Sequence, residues 1–436
     1  MTRKNLKSYK INMKYYFLGI GGVSMSALAI MLFENGERVE GYDERQSHAT
    51  DLLEGVGIKV WFDFKKTSIE KSDVIVYSSA FKDGNDIFDF AKSINKKMMC
   101  RGELLGKISS HYSNTIAVSG AHGKTTVTAM IYEVLKVAGK NPTLHLGGFR
   151  CDDNKNFALG EKDFFVTEAC EYCDNFLYLH PHLAVVTNVE PEHLDYFKTF
   201  ENEKRSFERF KNQSQIVVDD VSEYSAKRLR HNRNGVLSFD MYRNDQKLFH
   251  LNLKICEEIN AQNCMFVHKT CQSLGVRDCL IKLGLENYRG VKTRFEKVKC
   301  ERFENVICDY AHHPTEISKA IKSAKKIYKD KKLIVIFQPH TYSRTKNLLP
   351  KFIRVFKDEF CPIIYQTYSA REKPTDGISA SQFVKILKKY NKNAIFSENF
   401  DNLMQILENF DKNDVVLLFV GAGDLPMILH KNNFIS

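Results

Sequence analysis

Short apolar runs that end in a polar or glycine cluster recur along the whole chain: YYFLGI, DVIVYSSA, NTIAVSG, DFFVTEA, LAVVTNV, NVICDYA, KLIVIFQP and DVVLLFVGAG. A strand that is apolar on both faces must be covered on both faces, which is the habit of parallel sheets flanked by helices. Between these runs lie helical stretches such as SMSALAIML and TVTAMIYEVLKVAG. The alternation predicts an α/β chain of doubly wound parallel sheets, whose strand carboxyl ends form the ligand edge. A chain of 436 residues is too long for one core. At roughly 100 to 200 residues per domain, three units are expected, over residues 14–110, 111–292 and 293–436, behind a basic lead-in at 1–13.

Apolar residues make up 43% and charged residues 27%, which excludes disordered and fibrous classes. The net charge of +11 is spread along the chain rather than gathered in a block. With no zinc finger, RNA-binding aromatic signature or basic heptad region, nucleic acid is not an expected partner, and an anionic small substrate is. The eleven cysteines follow no regular spacing, which points to a reduced, cytoplasmic protein. The lone Cys170-x-x-Cys173 pair lacks the second pair or histidine spacing that zinc requires. Residues 15–33 carry no charge and follow Lys4, Lys7, Lys10 and Lys14, as a signal anchor would. Gly19, Gly21 and Gly22 break that run where a strand would turn into a helix, so a buried strand-turn-helix is expected and stable membrane insertion is not.

AVSGAHGKTTVTAM places a strand, a glycine turn and a helix in the order a phosphate-binding loop needs. Val118 occupies the first glycine position of G-x-x-x-x-G-K-[ST], leaving Gly120 and Gly123 to turn the chain. The amides of Gly120, Ala121, His122, Gly123, Lys124, Thr125 and Thr126 are the expected phosphate cradle, with Lys124 reaching the terminal phosphates and Thr125 a magnesium ion. Glu168 ends one strand and His193 follows the next by a short loop. Adjacent parallel strands would bring both to the loop, making Thr125, Glu168 and His193 candidate magnesium ligands, the imidazole being the less typical one.

A further cluster, CDYAHHPTEI and QPHTYSRT, sets Asp309, Tyr310, His312, His340 and Arg344 where strands give way to helices. A helix cap with surface histidines is the plainer reading of HHP, but two such clusters on successive strands favour a ligand crevice. In GIGGVSMSALA, Ser24 stands where a dinucleotide fingerprint wants its third glycine, so a nucleotide-linked diphosphate is favoured over a nicotinamide. Residues alone therefore support an enzyme using ATP and magnesium with a second nucleotide-like site. A small-molecule kinase and a non-catalytic nucleotide sensor remain alternatives.

Together GIGGVSMSALA, SGAHGKTT, EACEYCDNF, TNVEPEHLD, DYAHHPTEI, FQPHTYSRT, YSAREKP and GAGD resemble, in order and spacing, the Mur ligases of peptidoglycan synthesis. DYAHHPTEI followed by QPHTYSRT is similar to the branch that adds L-alanine to UDP-N-acetylmuramate. The resemblance implies a three-domain architecture: a Rossmann-like UDP-sugar domain, a central P-loop ATPase domain and a Rossmann-like amino-acid domain. It implies ligation through an acyl phosphate, by a monomer or homodimer. It assigns Gly19, Gly21, Gly22, Val23, Ser24, Ser78 and Ser79 to the UDP-sugar. Asn260, Asn263, Arg294 and Asp309 join the P-loop at ATP; Tyr310, His312, His340 and Arg344 fall to the amino acid. Lys124, Glu168, His193, His312 and Arg344 are the implied catalytic set. The chain departs from the pattern at Ser24, where glycine is usual, at Ala121, where threonine is common, and at Ile259, where histidine is. Glu208 lies near a position that is a carbamylated lysine in related ligases, so no carbamate is expected here. Ligases that attach a recycled peptide are the rival within the family, and QPHTYSRT argues against them.

Overall fold

The computed structural model describes residues 12–231, 236–357, 360–370 and 372–435. The basic lead-in therefore lies outside the described residues up to position 11. The chain forms two compact units, Met1–Glu223 with Asn263–Leu285, and Tyr224–Gln262 with Glu286–Ser436.

The first unit holds two sheets. The five-stranded one runs Lys59–Trp61, Arg38–Tyr42, Lys14–Leu18, Val74–Tyr77, Lys97–Cys100, all parallel. Strand order reverses beside Lys14–Leu18, so the turn at Gly19–Gly22 and the Ser78–Ser79 segment share the switch-point crevice. The uncharged run is strand Lys14–Leu18, a turn and helix Val23–Glu34, and among the described residues no helix is long and apolar enough to cross a membrane. That helix is apolar almost all round because it is covered twice. Leu28 and Ile30 share one core with Phe17 of their own sheet and with Phe157, Phe165 and Ala184 of the next. Fully buried rings such as Phe17, Phe165 and Phe176 contribute roughly 2 to 3 kcal/mol each.

In the second sheet, strand Asn114–Ser119 lies between Leu183–Val186 and Phe164–Glu168. Ile216–Val218, Thr143–His145 and Phe157–Ala158 complete the six, only the last pairing antiparallel. Helix Arg101–Ser109 packs on the segment Tyr172–Tyr178. Gly106 permits this approach, since a Cβ there would run into the Tyr178 carbonyl.

The second unit holds a six-stranded sheet in the order Glu296–Val298, Val306–Asp309, Val415–Val420, Lys332–Phe337, Cys361–Tyr365, Ile395–Ser397. Its edge strand Glu296–Val298 is antiparallel and the rest are parallel. It also holds an antiparallel meander absent from the sequence-based expectation: Tyr224–His231, Leu237–Arg243 and Gln246–Leu253. Asn244 and Asp245, at φ 47 and 61, make the two-residue turn. Among the described residues none of the eleven cysteines, Cys170 and Cys173 included, is in a disulfide.

Candidate active site

Val118 is fully buried inside strand Asn114–Ser119, so the loop needs no glycine there. The chain turns at Gly120 and Gly123, at φ 129 and 84, both in a region that L side chains rarely adopt. A Cβ on Gly120 would also press on the Asn188 carbonyl. The loop is braced from the end of strand Leu183–Val186. Ala121 N–H donates to the Asn188 carbonyl at 3.3 Å and His122 N–H to Asn188 Oδ1 at 3.0 Å. The His122 imidazole points to Glu190, at 3.4 Å. Thr126 is half-buried in the first turn of helix Lys124–Val137, and Asn263 Oδ1 lies close enough to Gly123 to meet a Cβ there at 2.9 Å.

Thr125 and Glu168 are in direct contact. The Thr125 hydroxyl donates to Glu168 Oε2 at 3.0 Å, and Gly147 N–H donates to Oε1 at 2.6 Å. His193, expected beside Glu168, bonds a different carboxylate: its Nε2 lies 3.5 Å from Glu171 Oε1. Glu171 also receives Lys124 Nζ at 2.9 and 3.1 Å, while Lys124 donates to the Gly120 carbonyl at 2.6 Å. Glu171 was missed in the sequence, although it stands three residues beyond Glu168.

Glu171 is 1% exposed. Burial is the largest single influence and would raise its pKa, but the Lys124 ammonium and the His193 contact prevail and hold it at about 2. Burial alone would lower the pKa of Lys124 and of His193; Glu171 reverses both, so Lys124 stays charged and His193 titrates above its ordinary value. Glu171, Glu192 and His193 converge closely enough to share a cation.

At the first switch point, a Cβ on Gly19 would meet Ser78 Oγ at 2.9 Å, so turn and neighbouring strand end approach closely. Gly21 N–H donates to Asp43 at 2.8 Å, which anchors the turn. Ser24 bonds His145 and Arg101.

In the second unit, Tyr310, His312, His340 and Arg344 come together. The His312 ring is 5.6 Å from Tyr310 and 6.1 Å from His340, and Arg344 Nη1 is 3.5 Å from His340 Nδ1. Tyr368, the first residue of YSAREKP and given no role in the sequence reading, closes the group at 5.5 Å from His340. Burial pushes both histidines down to about 4, so they are neutral at pH 7. His313 is the helix cap that the plainer reading of HHP required, accepting from Thr315 N–H ahead of helix Pro314–Ile327. Asp309 accepts backbone N–H bonds from Phe295 at 2.7 Å and Ala311 at 2.6 Å. It thereby pins the segment that carries Arg294, whose guanidinium stacks on Tyr310 at 5.0 Å. Asn260, in the first turn of helix Ile259–Ser273, is buried.

A doubly wound sheet, a P-loop sheet and a second doubly wound sheet, in that order along the chain, define a P-loop ligase of Mur type. The models of the Mur ligase family catalytic domain, middle domain and glutamate ligase domain match residues 14–113, 118–274 and 293–423. The chain belongs to the Mur ligase family, whose members are ATP-dependent ligases. UDP-N-acetylmuramate–L-alanine ligase from Acetivibrio thermocellus is 35% identical over 94% of this chain and 93% of its own length. The same enzyme from Caldanaerobacter subterraneus is 36% identical over 94% and 95%. The crystal structure of UDP-N-acetylmuramate-alanine ligase from Thermotoga maritima superposes with a TM-score of 0.83 at 26% identity, over 96% of this chain and 98% of that one.

Proposed function

We propose that this chain joins L-alanine to the carboxylate of UDP-N-acetylmuramate, driven by ATP cleavage, in peptidoglycan precursor synthesis. The observation that carries the proposal is the P-loop edge, where a charged Lys124 sits on Glu171 and Thr125 on Glu168. A carboxylate is a poor electrophile, and its approach to a triphosphate brings two anions together. Lys124 offsets that repulsion at the terminal phosphates. The carboxylate oxygen attacks the γ-phosphorus and ADP leaves; the amine of L-alanine attacks the acyl carbon and phosphate leaves.

Thr125, Glu168, Glu171, Glu192 and His193 fit a hard cation, because their donors are a hydroxyl, carboxylates and one imidazole. Magnesium held there supplies positive charge to the phosphate oxygens. The diphosphate of the sugar nucleotide belongs at Gly19, Gly21, Gly22, Val23 and Ser24 with Ser78 and Ser79. Asn260, Asn263, Arg294 and Asp309 are assigned to ATP. Arg344 offers a two-pronged partner for the alanine carboxylate, and the neutral His312 and His340 add no charge against its ammonium. A cytoplasmic location agrees with cysteines that form no disulfide among the described residues.

Phosphate release from ATP is the test, with UDP-N-acetylmuramate present and L-alanine added or withheld. Release that ignores L-alanine, or a phosphorylated sugar nucleotide as end product, refutes the ligase reading. Faster release with a tripeptide than with L-alanine places the chain among the recycling ligases.

A further inference from the structure

Arg101 occupies the first position of helix Arg101–Ser109, behind the cap residue Cys100. A cation there faces the positive end of the helix dipole, the opposite of what helix stability favours. The side chain is half-buried. Its Nη1 donates to Ser24 Oγ at 3.1 Å, and it has no ion-pair partner among the described residues. An unpaired, partly desolvated guanidinium is costly to the folded chain unless an anion reaches it.

A directed run of hydrogen bonds fixes that guanidinium. The Thr167 hydroxyl donates to the Glu168 main-chain carbonyl at 3.0 Å, and its oxygen lies 2.8 Å from His145 Nδ1. Having given its only proton away, Thr167 must accept from His145, so Nδ1 carries the hydrogen. Nε2 is then a lone pair. Ser24 Oγ, 2.9 Å away, donates into it and accepts from Arg101. Burial first and the Arg101 charge second push His145 down to about 3, so the imidazole stays neutral and the direction of the run does not change at neutral pH. The run leads from the first turn after the GIGG motif to the strand end that carries Glu168.

We infer that Arg101 binds the carboxylate of the sugar nucleotide, the group that accepts the phosphoryl transfer, and that Ser24, His145 and Thr167 are its positioning residues. This rests on the proposed ligase reading. The diphosphate is expected at the glycine turn, and the carboxylate must lie from there toward the Thr125–Glu168 pair, which is the course of the hydrogen-bond run. A guanidinium with donors to spare matches a carboxylate in a two-pronged geometry. Ser24 stands where the family resemblance calls for glycine, and here its hydroxyl links His145 to Arg101.

Calorimetric titration with UDP-N-acetylmuramate and with UDP-N-acetylglucosamine, which has the same diphosphate and no carboxylate, tests the inference. Arg101→Gln is expected to weaken the first by roughly 10- to 100-fold and to leave the second unchanged, which also shows that the variant is folded. Arg101→Lys, keeping charge but losing the fork, should fall between. Ser24→Gly should raise the KM for UDP-N-acetylmuramate several-fold with kcat nearly constant, the mark of a positioning contact. Equal losses for both nucleotides in the glutamine and lysine variants, or no loss for either, overturn the inference alone. An unmodified chain that binds no UDP-N-acetylmuramate overturns the ligase reading and the inference together.

Discussion

Glu171→Gln removes one negative charge and leaves the side chain's shape. Glu171 is almost completely buried, receives Lys124 through both oxygens and is in contact with His193, so the substitution strands a buried ammonium. Its pKa is held at about 2 against an ordinary 4.5, a difference that corresponds to about 3 kcal/mol of folding stability at pH 7. Because the folded pKa is depressed, that contribution is fully present above about 4.5 and is lost as pH falls toward 2; at pH 3.5 it is about 2 kcal/mol. Loss of one partner of a buried pair gives a similar size, about 3 kcal/mol, by independent reasoning. The only tryptophan, Trp61, lies in the same compact unit, so urea unfolding followed by its fluorescence reports that unit. The glutamine variant should unfold at lower urea at pH 7, with the gap to the unmodified protein narrowing in acid. Equal stability at pH 7, or a gap independent of pH, would refute the claim that Glu171 is the counter-charge of Lys124.

Lys124→Ala should reduce phosphate release on the order of 10²- to 10³-fold while leaving UDP-sugar affinity intact; calorimetry that shows lost sugar binding would contradict the separation of the two roles. Arg344→Ala should raise the KM for L-alanine by roughly 10- to 100-fold with little change for ATP, and equal effects on both would remove Arg344 from the amino-acid end. Burial lowers the pKa of His312 and His340 to about 4. The unfolded chain then binds protons that the folded one refuses, so stability rises with pH between about 4 and 6.5. In the same way the KM for L-alanine should be flat from pH 6 to 8. A steep inflection near 6.5 that His312→Gln abolishes would show that the imidazole titrates normally.

The alternating strands and helices were legible because buried parallel strands write their burial as unbroken apolar runs, as in Val415–Val420. Strand-end chemistry was legible for the same reason: Glu168 and Asp309 interrupt such runs at their carboxyl ends. The meander was not, since Tyr224–His231 carries Lys227, Arg228 and Arg230, all exposed, and has one buried residue, Tyr224. The Asn244–Asp245 turn signal between two mixed runs was the clue available. Glu171 was hidden because its position depends on a tight turn in which Cys173 and Asp174 adopt left-handed backbone, at φ 54 each. No residue-type pattern announces that geometry. Asp309 was read only for ATP, and its two bonds to the amides of Phe295 and Ala311 are a second use invisible without the fold. Ser24 read as a missing glycine, and only its neighbours across two sheets show what the hydroxyl does.

The central claim is that the sugar-linked carboxylate becomes an acyl phosphate before L-alanine attacks. Its most direct test is to label both carboxylate oxygens of UDP-N-acetylmuramate with heavy oxygen and weigh the phosphate released during turnover with ATP and L-alanine. The mechanism predicts one heavy oxygen in each phosphate, carried over from the carboxylate when the amide forms. Phosphate released without label, from turnover that nonetheless yields the alanyl product, would contradict it.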